Sequence, residues 1–401
     1  MLPLPVRAGL YEALTAEKVR WMPETPPPEP EPATMEERLK TPDAKAKFLD
    51  PRWEPSLMIR TLFVYTQRDE KTIKTADGGA IKVDTDDQPK TIYGQREGFV
   101  LENVELGMYG RFNDSGVYYQ AKMELIPREK DGTVAESEFL KDAYFGWNKY
   151  RVFDVRVGRM KIPFSRASLT STADQTFIGA PVLDAMVVKR QTGGMLSFSD
   201  PWRTVKLSGG VFNSAKQALE SLRNMNQLLY VGRLEVPVHN ILKATNSHFM
   251  DFEFEIAADA AWVKEYFDPT TEHRWIGLDA KLHLWLFTLE GEYLQKDAFI
   301  AGAGGAKTAF QGKGWNADLT FHAWPGVINL NARIEQMDGN SSENSDPVAN
   351  PVDQKKRWIS GGLSLLAAKQ VRLDFNYIHR MELENVAPKN DVFMGMFQFN
   401  Y

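Results

Sequence analysis

From Ser56 to the last residue, the chain repeats one pattern: apolar side chains occupy every second position, and polar or small side chains lie between them. An apolar period of two predicts β-strands whose two faces meet different surroundings. No stretch approaches the roughly 18 consecutive apolar residues of a membrane-spanning helix, so a helical membrane protein is excluded. Five clear examples of the pattern are residues 117–125, 205–211, 287–293, 328–335 and 371–377.

The connections between these segments alternate between short and long. Short turns are predicted at Asn113–Gly116, Asn148–Arg151, Ser199–Trp202, Trp285–Leu286, Trp324–Gly326 and Ala367–Gln370. Longer polar loops fall near 67–97, 127–135, 165–186, 213–226, 264–272, 296–309, 338–355 and 383–390, with a medium-length exception near Pro237–Ser247. Alternation of this kind is typical of a transmembrane antiparallel β-barrel. The pattern predicts an all-β barrel of about sixteen strands, with both termini on the periplasmic side.

The final segment carries aromatic residues at every second position except Gly395: Phe393, Phe397, Phe399 and Tyr401. Aromatic rings are favoured at a membrane interface. A last strand that ends on an aromatic residue resembles the signal by which the barrel-assembly machinery recognises its clients. We therefore expect the outer membrane of a Gram-negative cell.

Composition excludes several functions. The chain contains no Cys, so disulfides, thiolate metal sites and cysteine nucleophiles are excluded. The net charge of −5 gives no sign of a nucleic-acid partner. The 23 Phe, 13 Tyr and 10 Trp are enough for the aromatic belts of a barrel.

Residues 1–55 differ from the barrel region, 56–401. The run Pro23–Pro32 predicts an extended polyproline II spacer of about 3 Å per residue. Two interpretations remain open: a tail that packs nowhere, or a periplasmic arm that docks on the barrel base, a neighbouring subunit or an envelope partner. Arg7 and Glu12 interrupt any apolar signal segment, so we expect the export signal to have been removed or replaced.

Three segments carry a family resemblance. Gly158–Ser165 reads Gly-x-x-Lys-x-Pro-Phe-Ser, Thr170–Phe177 reads Thr-Ser-x-x-Asp-x-Thr-Phe, and Arg190 begins an Arg-x-x-Gly return strand. Together they resemble the porin O/P family of outer-membrane barrels, often described as phosphate-selective. The resemblance implies a third external loop that folds into the barrel and narrows it, and assembly as trimers.

The matching loop, Arg166–Met186, combines small polar residues with apolar ones, so it can pack on the wall and still present hydroxyls to a channel. On strand parity, Arg159 and Lys161 would face lipid, at a cost of about 2–4 kcal/mol each. Either both residues lie above the membrane, or the phase of the strand changes near Gly158. We predict a bulge or bend there that turns them to the lumen. The candidate constriction residues are Arg156, Arg159, Lys161, Arg166, Lys189 and Arg190.

Strand parity also predicts a wider set of pore-lining side chains, which includes positive and negative charges. Its predicted basic members are Arg111, Arg233, Arg333 and Arg372. Its predicted acidic members are Glu105, Glu124, Asp142, Glu235, Asp279, Glu290, Asp318 and Asp374. Mixed signs give a transverse field and not a one-sign filter, so the phosphate selectivity of the family is not carried over to this chain.

No catalytic, metal or cofactor site is predicted. Gly302–Thr308 looks like a phosphate-binding loop, but Ala301 and Ala306 replace two required glycines. The six histidines are scattered, and His283 and His322 are expected to face the lumen as solvated side chains. We therefore expect no enzyme.

Two functions remain. One is a trimeric general porin that passively conducts small hydrophilic solutes, with mild anion preference. The other is a structural or partner-binding barrel whose residues 1–55 tether another envelope component. Expected partners are a second and third copy of the chain, outer-membrane lipid, lipopolysaccharide and an envelope protein, but no nucleic acid.

Overall fold

A computed structural model describes the barrel region and leaves the first fifty residues outside the described part. The described residues are 51–66, 71–74, 80–83, 98–112, 115–125, 129–130, 133–134, 139–150, 152–213, 228–244, 252–264, 271–301, 307–339, 355–368, 370–382 and 391–401. The predicted arm therefore lies outside the described residues, except that 51–55 belong to the first strand.

Sixteen antiparallel strands form one closed barrel, as the sequence predicted. Closure comes from the pairing of the first strand with the last, from Met58 opposite Asn400 to Thr66 opposite Val392. Labelled β1 to β16 in chain order, the strands are Pro51–Thr66, Gly98–Phe112, Val117–Glu124, Leu140–Trp147, Phe153–Lys161, Arg190–Ser199, Lys206–Asn213, Leu228–Pro237, Phe252–Val263, Thr271–Leu284, Phe287–Ala301, Lys307–Trp324, Ile328–Asp338, Lys355–Ala368, Val371–Glu382 and Val392–Asn400. Two small hairpins, Lys71–Lys74 with Ala80–Val83 and Glu129–Lys130 with Thr133–Val134, lie in the first two long connections.

Short and longer connections alternate around most of the barrel. The connection between β11 and β12, predicted as a long loop near 296–309, spans only 302–306, because both strands extend into it. The medium-length exception contains a helix, Val238–Ala244. The first strand starts and the chain ends at the short-turn end, where the backbones of Leu57 and Tyr401 exchange two hydrogen bonds of 2.9 and 2.8 Å. Among the described residues, no helix is both long and apolar enough to cross a membrane.

The two faces of each strand differ as the period of two requires. In β9 the outward side chains Ile256 and Trp262 are exposed, whereas Ala257 and Asp259 on the other face are buried. Exposed apolar side chains of this kind surround the barrel, with Val157 61% exposed, as expected of a wall in contact with hydrocarbon. The inward face is polar and largely buried, because a loop fills much of the lumen.

The predicted irregularity at Gly158 is a bend of the strand and not a bulge. β5 pairs with both neighbours without any register shift, so the predicted bulge at Gly158 is absent. The register shift lies between β3 and β4, where Lys141 is the extra residue. Gly158 instead bends β5 through a φ of 134°, which side chains rarely adopt. A Cβ atom at this position would lie 2.3 Å from the Ala143 carbonyl oxygen.

Gly158→Ala should therefore lower the free energy of unfolding by about 1–3 kcal/mol, because it adds strain at a positive φ and a clash with the neighbouring strand. Gly232→Ala is the matched control, since a Cβ there has no atom within 4 Å. Urea titration of the folded band on unheated gels would measure both. Equal stability of the two variants would contradict the strained conformation at Gly158.

Candidate pore constriction

The connection between β5 and β6, residues 162–189, lies inside the barrel; we call it the inner loop. It contains a short helix, Arg166–Leu169, and two 3₁₀ turns, Thr172–Asp174 and Val182–Met186. The hydroxyl of Ser165 caps the helix by accepting a hydrogen bond from the Ser168 backbone N–H. Because most of these residues are not in a regular ladder, their backbone groups need partners from the wall.

Wall carboxylates supply acceptors for the inner loop. Three of them accept backbone N–H groups, Asp259 from Ser165 at 3.2 Å, Glu292 from Ala167 at 3.2 Å and Glu335 from Val182 at 2.6 Å. They come from β9, β11 and β13, so these bonds attach the loop across five of the sixteen strands. A hydrogen bond to a charged acceptor is stronger than one between neutral groups.

Wall arginines supply donors. The Arg372 guanidinium donates to the carbonyl oxygens of Ala173 at 3.2 Å and Gln175 at 2.8 Å, and also pairs with Asp374. The Arg333 guanidinium lies 4.6 Å from the centre of the Phe177 ring. Arg333 also donates to the carbonyl oxygen of Gly179 at 3.4 Å and to both carboxylate oxygens of Asp318. Both arginines hold the loop against the wall.

A buried ionic network ties the start of the inner loop to the same wall. Asp279, whose side chain is fully buried, accepts from Arg166 of the loop at 2.7 Å and from Arg233 of β8 at 2.6 Å. Arg166 also contacts Glu255 at 2.7 Å, and Arg233 contacts Asp259 at 2.7 Å. Neither cation is free to face the passage.

Apolar side chains complete the attachment. Phe164, Ile178 and Leu183 of the inner loop are each at most 2% exposed. Leu183 packs over Gly314, where an added Cβ would lie 2.3 Å from the leucine methyl group. These side chains give the loop an apolar core of its own inside a polar lumen. Burial of each one stabilises the folded barrel by roughly 1.5–3 kcal/mol.

The opposite side of the lumen remains open as a cavity of about 280 Å³, which we call the basic slot. The wall from β2 to β8 forms one side, and Leu169, Ser171 and Thr172 of the inner loop lie on the other. Its basic lining residues are Lys122, Arg156, Lys161, Arg190, Lys206 and Arg233, and its acidic ones are Glu105, Asp142 and Glu235.

Three predicted constriction residues, Arg156, Lys161 and Arg190, line the slot. Lys161 does point inward: its Nζ donates to the carbonyl oxygens of Leu169 at 3.2 Å and Thr170 at 2.8 Å. Both partners are neutral carbonyl oxygens, so these two hydrogen bonds leave the positive charge of Lys161 unbalanced.

The other two slot cations have acidic partners. The Arg190 Nε atom lies 2.9 Å from a carboxylate oxygen of Asp142. Arg156 forms an ion pair with Asp154 at 2.6 Å. Its Nε–H also donates a hydrogen bond of 2.8 Å to the hydroxyl oxygen of Tyr118. Both guanidinium groups therefore have a fixed position in the slot.

The remaining predicted residues lie elsewhere. Arg159 is 7% exposed and donates to a backbone carbonyl of β4. Lys189 pairs with Asp184 of the inner loop at 2.6 Å. Arg111 donates to Asn148 at 3.0 Å, beside a short turn. The six predicted constriction residues thus do not form one cluster, and Arg333 and Arg372 of the predicted lining brace the loop.

Sequence reasoning missed two cations of the slot, Lys122 and Lys206. Lys122 contacts Glu105 at 3.2 Å, and Lys206 contacts Glu235 at 2.5 Å. Both occupy polar positions of clearly alternating segments, so parity places them in the lumen. Parity does not show which part of the lumen the inner loop leaves open, so it could not distinguish these two lysines from other lumen residues.

Two comparisons with known proteins give matches to this chain, one by sequence and one by structure. The model of the family "Phosphate-selective porin O and P" matches residues 75–238. The match includes the three segments between 158 and 193 and confirms their resemblance to this family. No curated protein sequence matches the chain.

Solved porins share the fold. The anion-selective porin from Comamonas acidovorans has a TM-score of 0.57 at 12% identity, covering 88% of this chain and 100% of that one. The channel DcaP of Acinetobacter baumannii has a TM-score of 0.57 at 11% identity, with 88% and 97% covered. A loop-deletion mutant of OmpT from Vibrio cholerae has a TM-score of 0.56 at 9% identity, with 88% and 99% covered. The chain therefore shares the barrel fold of these porins.

If wall arginines hold the inner loop, removing one should widen the opening through the barrel. In R372M/D374N the loop loses charged hydrogen bonds worth about 1.5–3 kcal/mol each, and no buried carboxylate is left unpaired. We expect higher and noisier single-channel conductance in planar bilayers. Arg111→Met is the control, because Arg111 is a lumen arginine bonded to a turn and not to the loop. Wild-type conductance in R372M/D374N would show that Arg372 does not hold the constriction.

Proposed function

We propose that the chain forms a water-filled channel through which small hydrophilic solutes diffuse passively across the outer membrane, with a mild preference for anions. The observation that carries this proposal is the basic slot. Six basic and three acidic side chains line this cavity between the wall and the inner loop. Arg233 is bonded to Asp259 and Asp279, so the cations that can act on a passing ion are those of β3 to β7. A charged ring of this kind selects ions without enclosing them.

The strength of the anion preference depends on how far the field of the slot charges extends and on how many of those charges are paired. The Debye length is about 8 Å at physiological salt, comparable to the width of a constricted channel, so slot charges are only partly screened. Most slot cations have a carboxylate neighbour, which reduces their long-range field. Lys161, bonded to neutral carbonyl oxygens, retains more of its charge toward the passage. The expected preference is therefore mild.

Phosphate selectivity is not part of the proposal. Arg233, Arg333 and Arg372 are bonded to wall carboxylates or to the inner loop, so they cannot form a continuous row of open guanidinium groups. The name of the Comamonas porin, anion-selective, agrees with a weaker and more general preference. Supporting evidence for passive conduction is the mixture of both signs around the slot, which opposes tight binding of either ion.

The orientation follows the usual arrangement of such barrels, in which short turns face the periplasm. It places Pro51 and Tyr401 on the periplasmic side, and the arm, residues 1–50, would begin there. Trimer assembly and contact of the arm with an envelope protein belong to the same proposal. They rest on the family resemblance and on the composition of the arm.

The selectivity test uses two slot cations that do not touch the inner loop. K122Q/K206Q leaves the loop attached but removes two positive charges, so the anion-to-cation permeability ratio should fall by roughly two-fold or more. Reversal potentials in a KCl gradient measure the ratio. The effect should be larger at 0.1 M than at 1 M salt, because the Debye length falls from about 10 to 3 Å.

Lys149→Gln is the matched control, since Lys149 is an exposed lysine in a short turn. It should leave the reversal potential unchanged. If K122Q/K206Q also leaves it unchanged, the basic slot is not the path of the ions and the proposed anion preference is wrong.

A further inference from the structure

One sector of the outer wall departs from the apolar pattern at its long-loop end. Across β12, β13 and β14, two rows of outward side chains are polar or aromatic instead. The row nearer the long loops is Lys313, Asp338 and Lys355, and the row below it is Trp315, Gln336 and Arg357. All six side chains are exposed or half-buried. We call this set the outer basic patch.

The patch faces away from the lumen, at the upper edge of the apolar belt. Alternate residues of a strand share a face, and Arg357 lies two residues from Ile359, which is 45% exposed on the outer wall. The residue between them, Trp358, is buried on the lumen side. Trp315 lies opposite Tyr293 of β11. Aromatic rings of this kind are favoured where hydrocarbon meets the polar headgroups.

Positive charge predominates in the patch. The Arg357 guanidinium donates from Nε and Nη2 to the amide oxygen of Gln336, at 3.1 and 2.7 Å, and this neutral partner leaves its charge unbalanced. Asp338 lies opposite both lysines in the ladder, so the patch has three cations and one carboxylate. On the flank of the patch, the carboxylate of Asp297 accepts hydrogen bonds from two glutamine amides.

The wall differs at the same end of other strands. Outward side chains there are Phe99 of β2, Met123 of β3 and Tyr230 of β8, which are 81%, 39% and 44% exposed. These strands carry no outward cation at those positions, so contact with a membrane does not by itself require one. The cations on β12 and β14 therefore call for a ligand of their own.

We propose that the outer basic patch binds a phosphate group of lipopolysaccharide, the phosphorylated glycolipid of the outer leaflet. The inference rests on the proposed orientation, in which the long loops face outward. The phosphates of this lipid lie directly above its acyl chains, which is the depth at which the patch follows the apolar belt. Arg and Lys bind phosphate through charge-assisted hydrogen bonds, and cations beside an anionic leaflet are attracted to it.

A second copy of the chain fits the patch less well. Such a contact would remove the charges of Lys313 and Arg357 from water, which is unfavourable unless an acidic partner meets them. The outward side chains Phe99 and Tyr230 offer no such partner. A lipid phosphate supplies the negative charge and can remain partly hydrated.

The test compares lipids that differ only in phosphate. The full chain, refolded in detergent without lipopolysaccharide, would be titrated with bisphosphorylated or dephosphorylated lipid A, and the bound lipid counted by native mass spectrometry. EDTA removes divalent ions that could bridge Asp338 to a phosphate. We expect K313Q/R357Q to weaken binding of bisphosphorylated lipid A about tenfold or more. Dephosphorylated lipid A should bind the wild type and the variant equally weakly.

K149Q/R203Q is the matched control, because it removes two exposed cations from the short-turn end. It should bind lipid A as the wild type does. The reversal potential of K313Q/R357Q should stay at the wild-type value, since the patch lies outside the lumen, so this test is independent of the proposed anion preference.

Equal binding of the two lipids by the wild type would overturn the proposal even if a variant failed to fold. Wild-type binding of bisphosphorylated lipid A by K313Q/R357Q would overturn it as well. A loss of oligomer from K313Q/R357Q on unheated gels, with lipid binding unchanged, would assign the patch to a contact between copies of the chain.

Discussion

The hydrogen bonds between charged wall residues and the backbone of the inner loop are the interaction on which the rest of the lumen depends. An irregular loop inside a barrel must find partners for its N–H and C=O groups, because each buried group left unpaired costs about 1–3 kcal/mol. Carboxylates of β9, β11 and β13 accept from the loop, and guanidinium groups of β13 and β15 donate to it. The loop therefore lies on one side of the lumen, and the basic slot is what this attachment leaves open.

The same arrangement explains why so many charged side chains are buried in this barrel. Asp279 is acceptable in the interior because Arg166 and Arg233 both contact it. Removal of one partner from such a pair typically costs about 3–5 kcal/mol, although the intact pair adds little net stability. We interpret the network as a device that fixes the position of the loop, with the barrel ladder and the apolar contacts of Phe164 and Leu183 supplying most of the stability.

Much of the fold could be predicted from the sequence because strand parity and turn length are local properties. The alternation around Val117 and Val371, and the short turn at Trp285, each required only neighbouring residues. The loop inside the barrel was predicted from a resemblance and not from parity.

The candidate site was harder to predict because it depends on contacts between distant segments. Parity placed Arg333 and Arg372 in the lumen, but could not show that the inner loop covers them. The misplaced bulge has a similar cause: Lys141 and Asp142 are both polar, so their sequence hides the extra residue that shifts the register of β4.

Chemical modification of the inner loop tests the central claim most directly, because the chain has no Cys and a single introduced thiol is unique. Ser171 of the inner loop lines the basic slot, so Ser171→Cys places that thiol in the slot. The measurement is single-channel current before and after a bulky, negatively charged methanethiosulfonate reagent is added. The account predicts a large fall in current and a lower anion preference in the modified channel. Complete modification with no change in current would show that the inner loop does not border the conducting path.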